Sequence, residues 1–305
     1  MDISRRKFIK NAGTMAIVTP FVPLPVRAFN LNRPDEPLKV HIFSKHLQFL
    51  DIGEAGQISA ELGFEGLDLT VRPKGHVLPE NVKFDLPVAI RDIKNSGSTC
   101  EMITTVISDV ANPLDSDIIK TAAVEGVRYY RSNWFKFKSD RSLEDSLEYY
   151  QEKVRQLSDL NKTYNIVGCY QNHSGTYVGA SMWEVNKILK AANPEFFGAQ
   201  YDIRHAVAEG GKSWPNGVKL LKNQIKTIVL KDFKWGKVDG KWQIVNVPVG
   251  EGMVDFKSYF KLLKSYGLNP PASLHLEYPL GGAEKGRYEI TVDKKIVFFT
   301  QKGMP

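Results

Sequence analysis

The sequence predicts an α/β fold, a single (β/α)8 barrel of the TIM type. Three observations carry that expectation. From Leu38 onward, eight short β-rich runs alternate with amphipathic stretches, a pattern that calls for a parallel sheet covered by helices. The 305 residues suffice for one large core of that architecture. The alternative is an open doubly wound sheet, which usually shows a glycine-rich turn after its first strand. Here the first strand runs into Ser44-Lys45-His46 instead.

In chain order, the strands are expected at 39–44, 66–70, 98–104, 127–131, 166–171, 198–202, 225–231 and 273–277. The helix between the first two strands spans 51–62, with Ile52, Ala55, Ile58 and Leu62 at helical spacing. Shorter helices follow at 87–95 and 115–125, the second with Asp115 as its N-cap. The clearest helix is 142–164, where Leu147, Tyr150, Val154, Leu157 and Leu160 share one face. Helices at 181–192, 215–223 and 255–266 continue the series, the last with Asp255 as N-cap, and a final weakly patterned helix lies beyond Glu284. Residues 237–247 read as a hairpin turning at Asp239-Gly240, placed after the seventh strand.

The N-terminus speaks to location. Ser4-Arg5-Arg6-Lys7-Phe8-Ile9-Lys10, an apolar stretch from Ala12 through Val22, and Val26-Arg27-Ala28 form a basic, an apolar and a cleavage region. The arginine pair followed by Phe and Lys fits a twin-arginine export signal, with an ordinary secretory signal or a retained anchor as alternatives. Residues 1–28 are therefore read as an export signal, residues 29–305 as the domain, and the mature protein as periplasmic. The apolar run falls short of the roughly 20 residues a membrane span needs. This segment holds Arg5, Arg6, Lys7, Lys10 and Arg27 against Asp2, so four of the seven excess positive charges leave with it. A mature charge of that size gives no argument for nucleic acid. Cys100 and Cys169 lie in apolar runs expected on opposite sides of the barrel, so two buried free thiols are expected rather than a disulfide.

Catalytic groups of such barrels sit at the carboxyl ends of the strands. There the sequence places Gln171 and His173 after the fifth strand, Asp202 and His205 after the sixth, Lys231 after the seventh and Glu277 after the eighth. Two carboxylates from different strands and a nearby His make a small-molecule or metal site. Each residue also has a structural reading. His205 can pack a helix, and His173 can bind substrate or cap a loop. Lys231 can work as an acid or base, or pair with Asp202 or Glu277. The segment around Glu251 can be a turn made by Gly250 and Gly252. Trp134, Trp214 and Trp235 can stack on a sugar ring or anchor loops. His41, His46, Glu101 and His275 are read as barrel filling.

Taken together, the segments DIRHA, LKDF and PVGEGMVDF in this order resemble the xylose-isomerase-like superfamily of sugar isomerases and epimerases, over nearly all of the mature chain. The resemblance implies a divalent metal held by a Glu, an Asp, a His and a Glu after strands five to eight. Asp202 and Glu277 match, whereas Gln171 and Val229 stand at the other two positions. A site of Gln171, Asp202 and Glu277 would be oxygen-only and would suit one divalent metal such as Mg²⁺ or Mn²⁺. The alternative is that Lys231 supplies the positive charge. The expected reaction is proton transfer next to a carbonyl on a carbohydrate or keto-sugar derivative, with Glu277 as base and His205 or Lys231 polarising or shuttling. His173, Trp134, Trp235 and Glu251 are the expected substrate contacts. A lyase on keto-glycosides and a catalytically reduced carbohydrate-binding barrel remain as rivals. The expected partner is a small-molecule carbohydrate, without nucleic acid or stable membrane insertion, and self-association is left open.

Overall fold

A computed structural model describes residues 36–278. The export signal and the helix expected beyond Glu284 lie outside the described residues. Eight parallel strands close into a barrel: β1 (Val40–Phe43), β2 (Gly66–Val71), β3 (Thr99–Thr105), β4 (Tyr129–Arg131), β5 (Val167–Gln171), β6 (Phe197–Asp202), β7 (Ile225–Leu230) and β10 (Ala272–Leu274). β10 closes the ring between β1 and β7. The helices are α1 (Ile52–Glu61), α2 (Val82–Asn95), α3 (Pro113–Val124), α4 (Leu143–Tyr164), α5 (Met182–Leu189), α6 (Ile203–Gly210), α7 (Trp214–Leu221) and α8 (Phe256–Ser265). Among the described residues no helix is long and apolar enough to cross a membrane.

Strand alternation sorts two packing regions. The outer faces of the strands carry residues such as Tyr130, Tyr170 and Tyr201, which join the helices in the main core. The opposite face points into the barrel. There Met102, Tyr129, Val167 and Cys169 form a small separate apolar cluster. Further along the same strands the inward residues are polar: Thr104, Arg131, Gln171 and Asp202.

Several expectations are corrected. α2 begins at Val82, five residues before Pro87, because Val82, Leu86, Ala89, Ile90 and Ile93 already bury one face. Asn112 caps α3, and Asp115 instead turns back to accept the Ser108 and Asp109 amides at 2.7 and 3.0 Å. Asp255 does cap α8, accepting the Ser258 amide at 2.9 Å. α6 was not expected from the pattern; it is only eight residues long. Trp214 opens α7 rather than sitting on a loop. Cys100 and Cys169 are buried and free, but only β4 separates their strands, so they are not on opposite sides of the barrel.

The hairpin is present and longer than expected, with β8 (Asp232–Val238) and β9 (Lys241–Val247). Asp239 and Gly240 take φ values of 51° and 77°, as a two-residue turn matching the strand twist requires.

Candidate active site

Asp202 ends β6 and also caps α6. Its Oδ1 accepts the His205 amide at 3.1 Å. This explains the Asp-x-x-His spacing: the cap fixes the first turn, and the His three residues on returns its ring over the carboxylate. Asn172 locks the junction, accepting the Asp202 amide at 2.7 Å and donating to its carbonyl at 2.9 Å.

The second carboxylate oxygen receives two donors. Gln171 Nε2 donates to Asp202 Oδ2 at 2.8 Å, and Lys231 Nζ lies 3.0 Å from the same oxygen. Gln171 Oε1 in turn accepts from Arg131 Nη1 at 3.3 Å, and Arg131 Nη2 donates to the Thr105 carbonyl at 3.1 Å. Burial pushes the Arg131 guanidinium down to about 10. The amide at position 171 is thus placed with its oxygen toward a cation and its nitrogen toward an anion. A glutamate there would face Asp202 carboxylate to carboxylate.

That arrangement does not fit the expected metal site of Gln171, Asp202 and Glu277. Both Asp202 oxygens are engaged by protein donors, and Gln171 turns its NH2 group, not its carbonyl, toward Asp202. Val229, the inward residue in register with Asp202, offers no ligand atom. Among the described residues no three His, Cys, Asp or Glu side chains cluster as metal ligands. The Lys231 ammonium holds the positive charge beside Asp202. The salt-bridge reading of Lys231 is the one the geometry supports.

The two histidines near this carboxylate have opposite hydrogen-bonding senses. His205 Nδ1 faces the Ser174 amide at 3.1 Å and Arg204 Nη1 at 2.9 Å, both donors. Its lone pair is therefore on Nδ1 and its proton on Nε2. Nε2 lies 3.6 Å from Asp202 Oδ2, is buried, and makes no hydrogen bond. Burial, then the charges of Lys231, His173 and Arg204, hold His205 well below the usual histidine range, so it is a neutral donor. His173 is the reverse. Its Nδ1 donates to the Ser174 carbonyl at 2.8 Å, which leaves the lone pair on Nε2. Burial also lowers its pKa. The rings lie 4.1 Å apart, and Trp134 also packs on His173 at 4.5 Å. Arg131 lies over Trp134 at 4.3 Å.

Glu277 sits three residues beyond β10, not at the end of an extended strand as expected. Its side chain is 28% exposed, with Lys45 at 3.8 Å and His275 Nδ1 at 3.5 Å. Burial alone would raise its pKa. The neighbouring His275 and the charges of Lys231 and Lys45 outweigh that and hold it well below the carboxylate range. Its carbonyl accepts from Asn246 of β9 at 3.2 Å, and Asn246 accepts from Arg204 at 2.7 Å.

Asp232 explains why LKDF and the glycine loop occur together. It is buried and accepts the amides of Gly250, Gly252 and Val254 at 3.0, 2.9 and 3.2 Å. A Cβ at Gly252 would lie 2.2 Å from that carboxylate, so only glycine fits. The turn reading of the glycines holds.

The structure therefore links Gln171, Asp202, His205, Lys231, His173 and Trp134 into one chain of contacts, with Glu277 near enough for the Lys231 charge to act on it. It does not bring the other two expected contacts into this group. Glu251 is exposed on its loop. Trp235 lies on the hairpin, 45% exposed, and touches the edge of Phe233. His46 and His275 fill space as expected: His46 accepts the Leu276 amide at 2.9 Å, and His275 stacks on Phe43 at 4.3 Å. Sequence reasoning missed Arg131, Arg204, Lys45 and Asn246. Arg131 ending the strand Tyr129-Tyr130-Arg131 and Lys45 directly after the first strand were visible signals of the strand-end rule; Asn246 had none.

A model of the xylose isomerase-like TIM barrel family matches residues 109–292, more than half of the chain. No curated protein matches by sequence. Solved structures share the fold. The probable 3-DHS dehydratase involved in petrobactin synthesis from Bacillus anthracis is 14% identical, with a TM-score of 0.62 over 81% of this chain and 95% of that one. The 3-keto-D-glucoside 4-epimerase from E. coli is 12% identical, with a TM-score of 0.62 over 82% and 96%. A xylose isomerase-like TIM barrel protein from Mycobacterium smegmatis, solved in complex with magnesium, is 12% identical, with a TM-score of 0.62 over 86% and 97%.

Proposed function

This chain belongs to the xylose isomerase-like TIM barrel family, and from that membership we propose that it moves a proton next to the carbonyl of a carbohydrate or keto-sugar derivative. The observation that carries this reading is the placement of two unlike donors beside Asp202: the Lys231 ammonium at 3.0 Å and the unpartnered Nε2–H of His205 at 3.6 Å. Together they suit an oxygen that becomes negative. Glu277, ionised and partly open, takes the proton from the adjacent carbon. The C–H electron pair forms a C=C bond while the carbonyl becomes an enediolate, whose charge Lys231 and His205 stabilise. The proton of the neighbouring hydroxyl then passes to the former carbonyl oxygen, and Glu277 returns its proton to the former carbonyl carbon. The C=C electron pair forms the new C–H bond, the neighbouring carbon becomes the carbonyl, and an isomerisation is complete. Loss of a leaving group from the same enediolate would make a lyase.

Epimerisation needs a proton carrier on the other face. Gln171 cannot serve. His173 can, because its Nε2 lone pair has no partner among the described residues. General acid–base work of this kind contributes about 10²–10⁴-fold, and one oxyanion donor about 10²–10³-fold.

The test is incubation with keto-sugars in D2O, followed by mass spectrometry of the recovered sugar. Deuterium incorporation by the wild type that Glu277→Gln abolishes supports the reaction. Tight binding without incorporation would instead support a catalytically reduced carbohydrate-binding barrel. Gln171 and Val229, in place of the family's Glu and His, are the observations that favour that second reading.

We propose a periplasmic location, which Arg5-Arg6-Lys7-Phe8 and the apolar run after it support. An R5K/R6K variant should then remain in the cytoplasmic fraction, and equal export of variant and wild type would count against a twin-arginine route.

A further inference from the structure

Asn246 joins the two halves of the candidate site. It lies on β9, which pairs with β8 in a two-stranded sheet separate from the barrel. Asn246 is in register with Phe233 of β8, so the two side chains share one face of the hairpin. Phe233 is fully buried, and the Arg204 guanidinium lies over its ring at 5.3 Å. The root of the hairpin is fixed by the amides that Asp232 collects and by the Met253 amide, which donates to the Phe233 carbonyl at 2.7 Å.

The Asn246 amide has one orientation. Arg204 Nη2 can only donate, so its acceptor at 2.7 Å is Oδ1. The Glu277 carbonyl can only accept, so its donor at 3.2 Å is Nδ2. Gln171 is placed in the same sense, with its oxygen toward Arg131 and its nitrogen toward Asp202.

The first bond reaches His205. Arg204 is buried and donates to three uncharged acceptors: Asn246, His205 Nδ1 at 2.9 Å and Ser174 Oγ at 3.3 Å. The bond to Asn246 is the shortest of the three. Donation to Nδ1 keeps the His205 proton on Nε2, the nitrogen beside Asp202 Oδ2. The second bond holds Glu277 by its own backbone, past the end of β10 at Leu274.

We infer that Asn246 is a positioning residue for the proton transfer. One amide aims the donor His205 through Arg204 and anchors the base Glu277 directly, and so sets the spacing between them. The inference rests on the proposed function for the reaction it serves. Only a side chain with an acceptor and a donor on one short stem meets both demands.

The test compares Asn246→Ala and Asn246→Asp with the wild type, as the full chain and at a temperature where circular dichroism shows all three folded. Alanine removes both bonds. Aspartate keeps an acceptor for Arg204 but turns a second oxygen on the Glu277 carbonyl. Nitrogen NMR of labelled histidine reads the His205 ring, and carbon NMR of the Glu277 carbonyl reads the other bond. Asn246→Ala should shift both signals, and Asn246→Asp the carbonyl signal alone. In the deuterium-incorporation assay both variants should lower kcat about 10–10²-fold, the cost of about an ångström of misplacement, with KM changed less than about threefold. A residue that only supports the fold would lower the melting temperature and leave kcat per folded molecule as it was. That result overturns the inference, as does full exchange in Asn246→Asp or an unmoved His205 signal in Asn246→Ala. A wild type that exchanges no proton into any keto-sugar sinks the proposed reaction instead, and the two NMR signals then decide by themselves whether Asn246 holds both groups in place.

Discussion

The two carboxylates at the top of the barrel are held in opposite ways. Asp202 is fully buried, and both of its oxygens are taken: one by a helix cap, the other by an amide and an ammonium at 2.8 and 3.0 Å. Glu277 is partly exposed and has only looser contacts, at 3.5 and 3.8 Å. The same functional group thus has two roles set by surroundings. Asp202 is a fixed counter-charge that positions Lys231 and His205. Glu277 has an oxygen to spend on substrate. A base must have room to receive a proton, and only the second carboxylate does.

Acid should break both arms at once, with the largest effect. His205 packs against Asp202, and His46 and His275 act on the Glu277 side. With His41 these four are buried, and desolvation lowers the pKa of each, that of His46 to about 3. The unfolded chain binds protons at these groups near pH 6.5, whereas the folded chain does not. Their contribution to stability is therefore complete above about pH 6.5 and is lost as pH falls below it, at about 1.4 kcal/mol per pH unit for each group. His46, lowered to about 3, keeps lowering stability until pH reaches that value, and each of the other three adds to the loss until pH reaches its own lowered pKa. Urea unfolding at a series of pH values should show this decline, and a flat profile from pH 7 to pH 5 would mean that these histidines are not buried as neutral rings.

Removing Lys231 should break the Asp202 arm alone. Lys231→Met leaves a buried carboxylate without its cation, a loss of about 3–5 kcal/mol. Adding Asp202→Asn should recover much of it, because the stranded charge is removed. Urea unfolding of the single and double variants measures the difference. If both single variants cost little, Asp202 is not the clamp described here.

Glu277→Gln should show the reverse balance. Surface-linked groups contribute about 0–1 kcal/mol, so the fold should be nearly unchanged, while proton exchange into substrate should fall about 10²–10⁴-fold. The pH dependence has a definite sign. Glu277 is held below the ordinary value of 4.5, so its stabilising interactions persist above about pH 4.5 and are lost as pH falls further. The Glu277→Gln variant should lack that component in acid unfolding. Exchange that survives the substitution would move the base elsewhere, with His173 the candidate.

Much of this was legible in the chain. Each of the eight barrel strands falls within a residue or two of its expected start, because buried parallel strands are short apolar runs bounded by helix caps and turns. The last strand ends early, at Leu274, yet Glu277 still reaches the site through the loop beyond it. Asp202, His205, Lys231 and Gln171 were found by one rule, that strand ends converge. What a convergence rule does not provide is orientation. Nothing in the residue types says that Gln171 turns its nitrogen to Asp202, or that Lys231 takes the second donor place. The first depends on Arg131, which lies 40 residues before Gln171 in the chain. Trp235 and Glu251 stand exposed outside the gathered group for the same reason: position after a strand does not say which way a long hairpin and its loop carry their side chains.

The smallest expected effect tests the metal question directly. In the present geometry Mn²⁺ or Mg²⁺ could bind only by displacing Lys231 from Asp202 and reversing the Gln171 amide. Neither added Mn²⁺ nor a chelator should therefore shift the melting temperature of the wild type. Gln171→Glu sets a second carboxylate against Asp202 within hydrogen-bond distance, while Arg131 remains on its other side. The repulsion is partly offset by that arginine, so a modest loss, about 1–2 kcal/mol within the usual range for point variants, is expected. If the charge logic is right, Lys231 compensates the pair better than a weakly held metal does, and Mn²⁺ should leave the variant unchanged as well. A saturable Mn²⁺ stabilisation of the wild type, which at a hundredfold excess over Kd would reach about 2.7 kcal/mol, would show that Asp202 releases its lysine and that both carboxylates serve one ion.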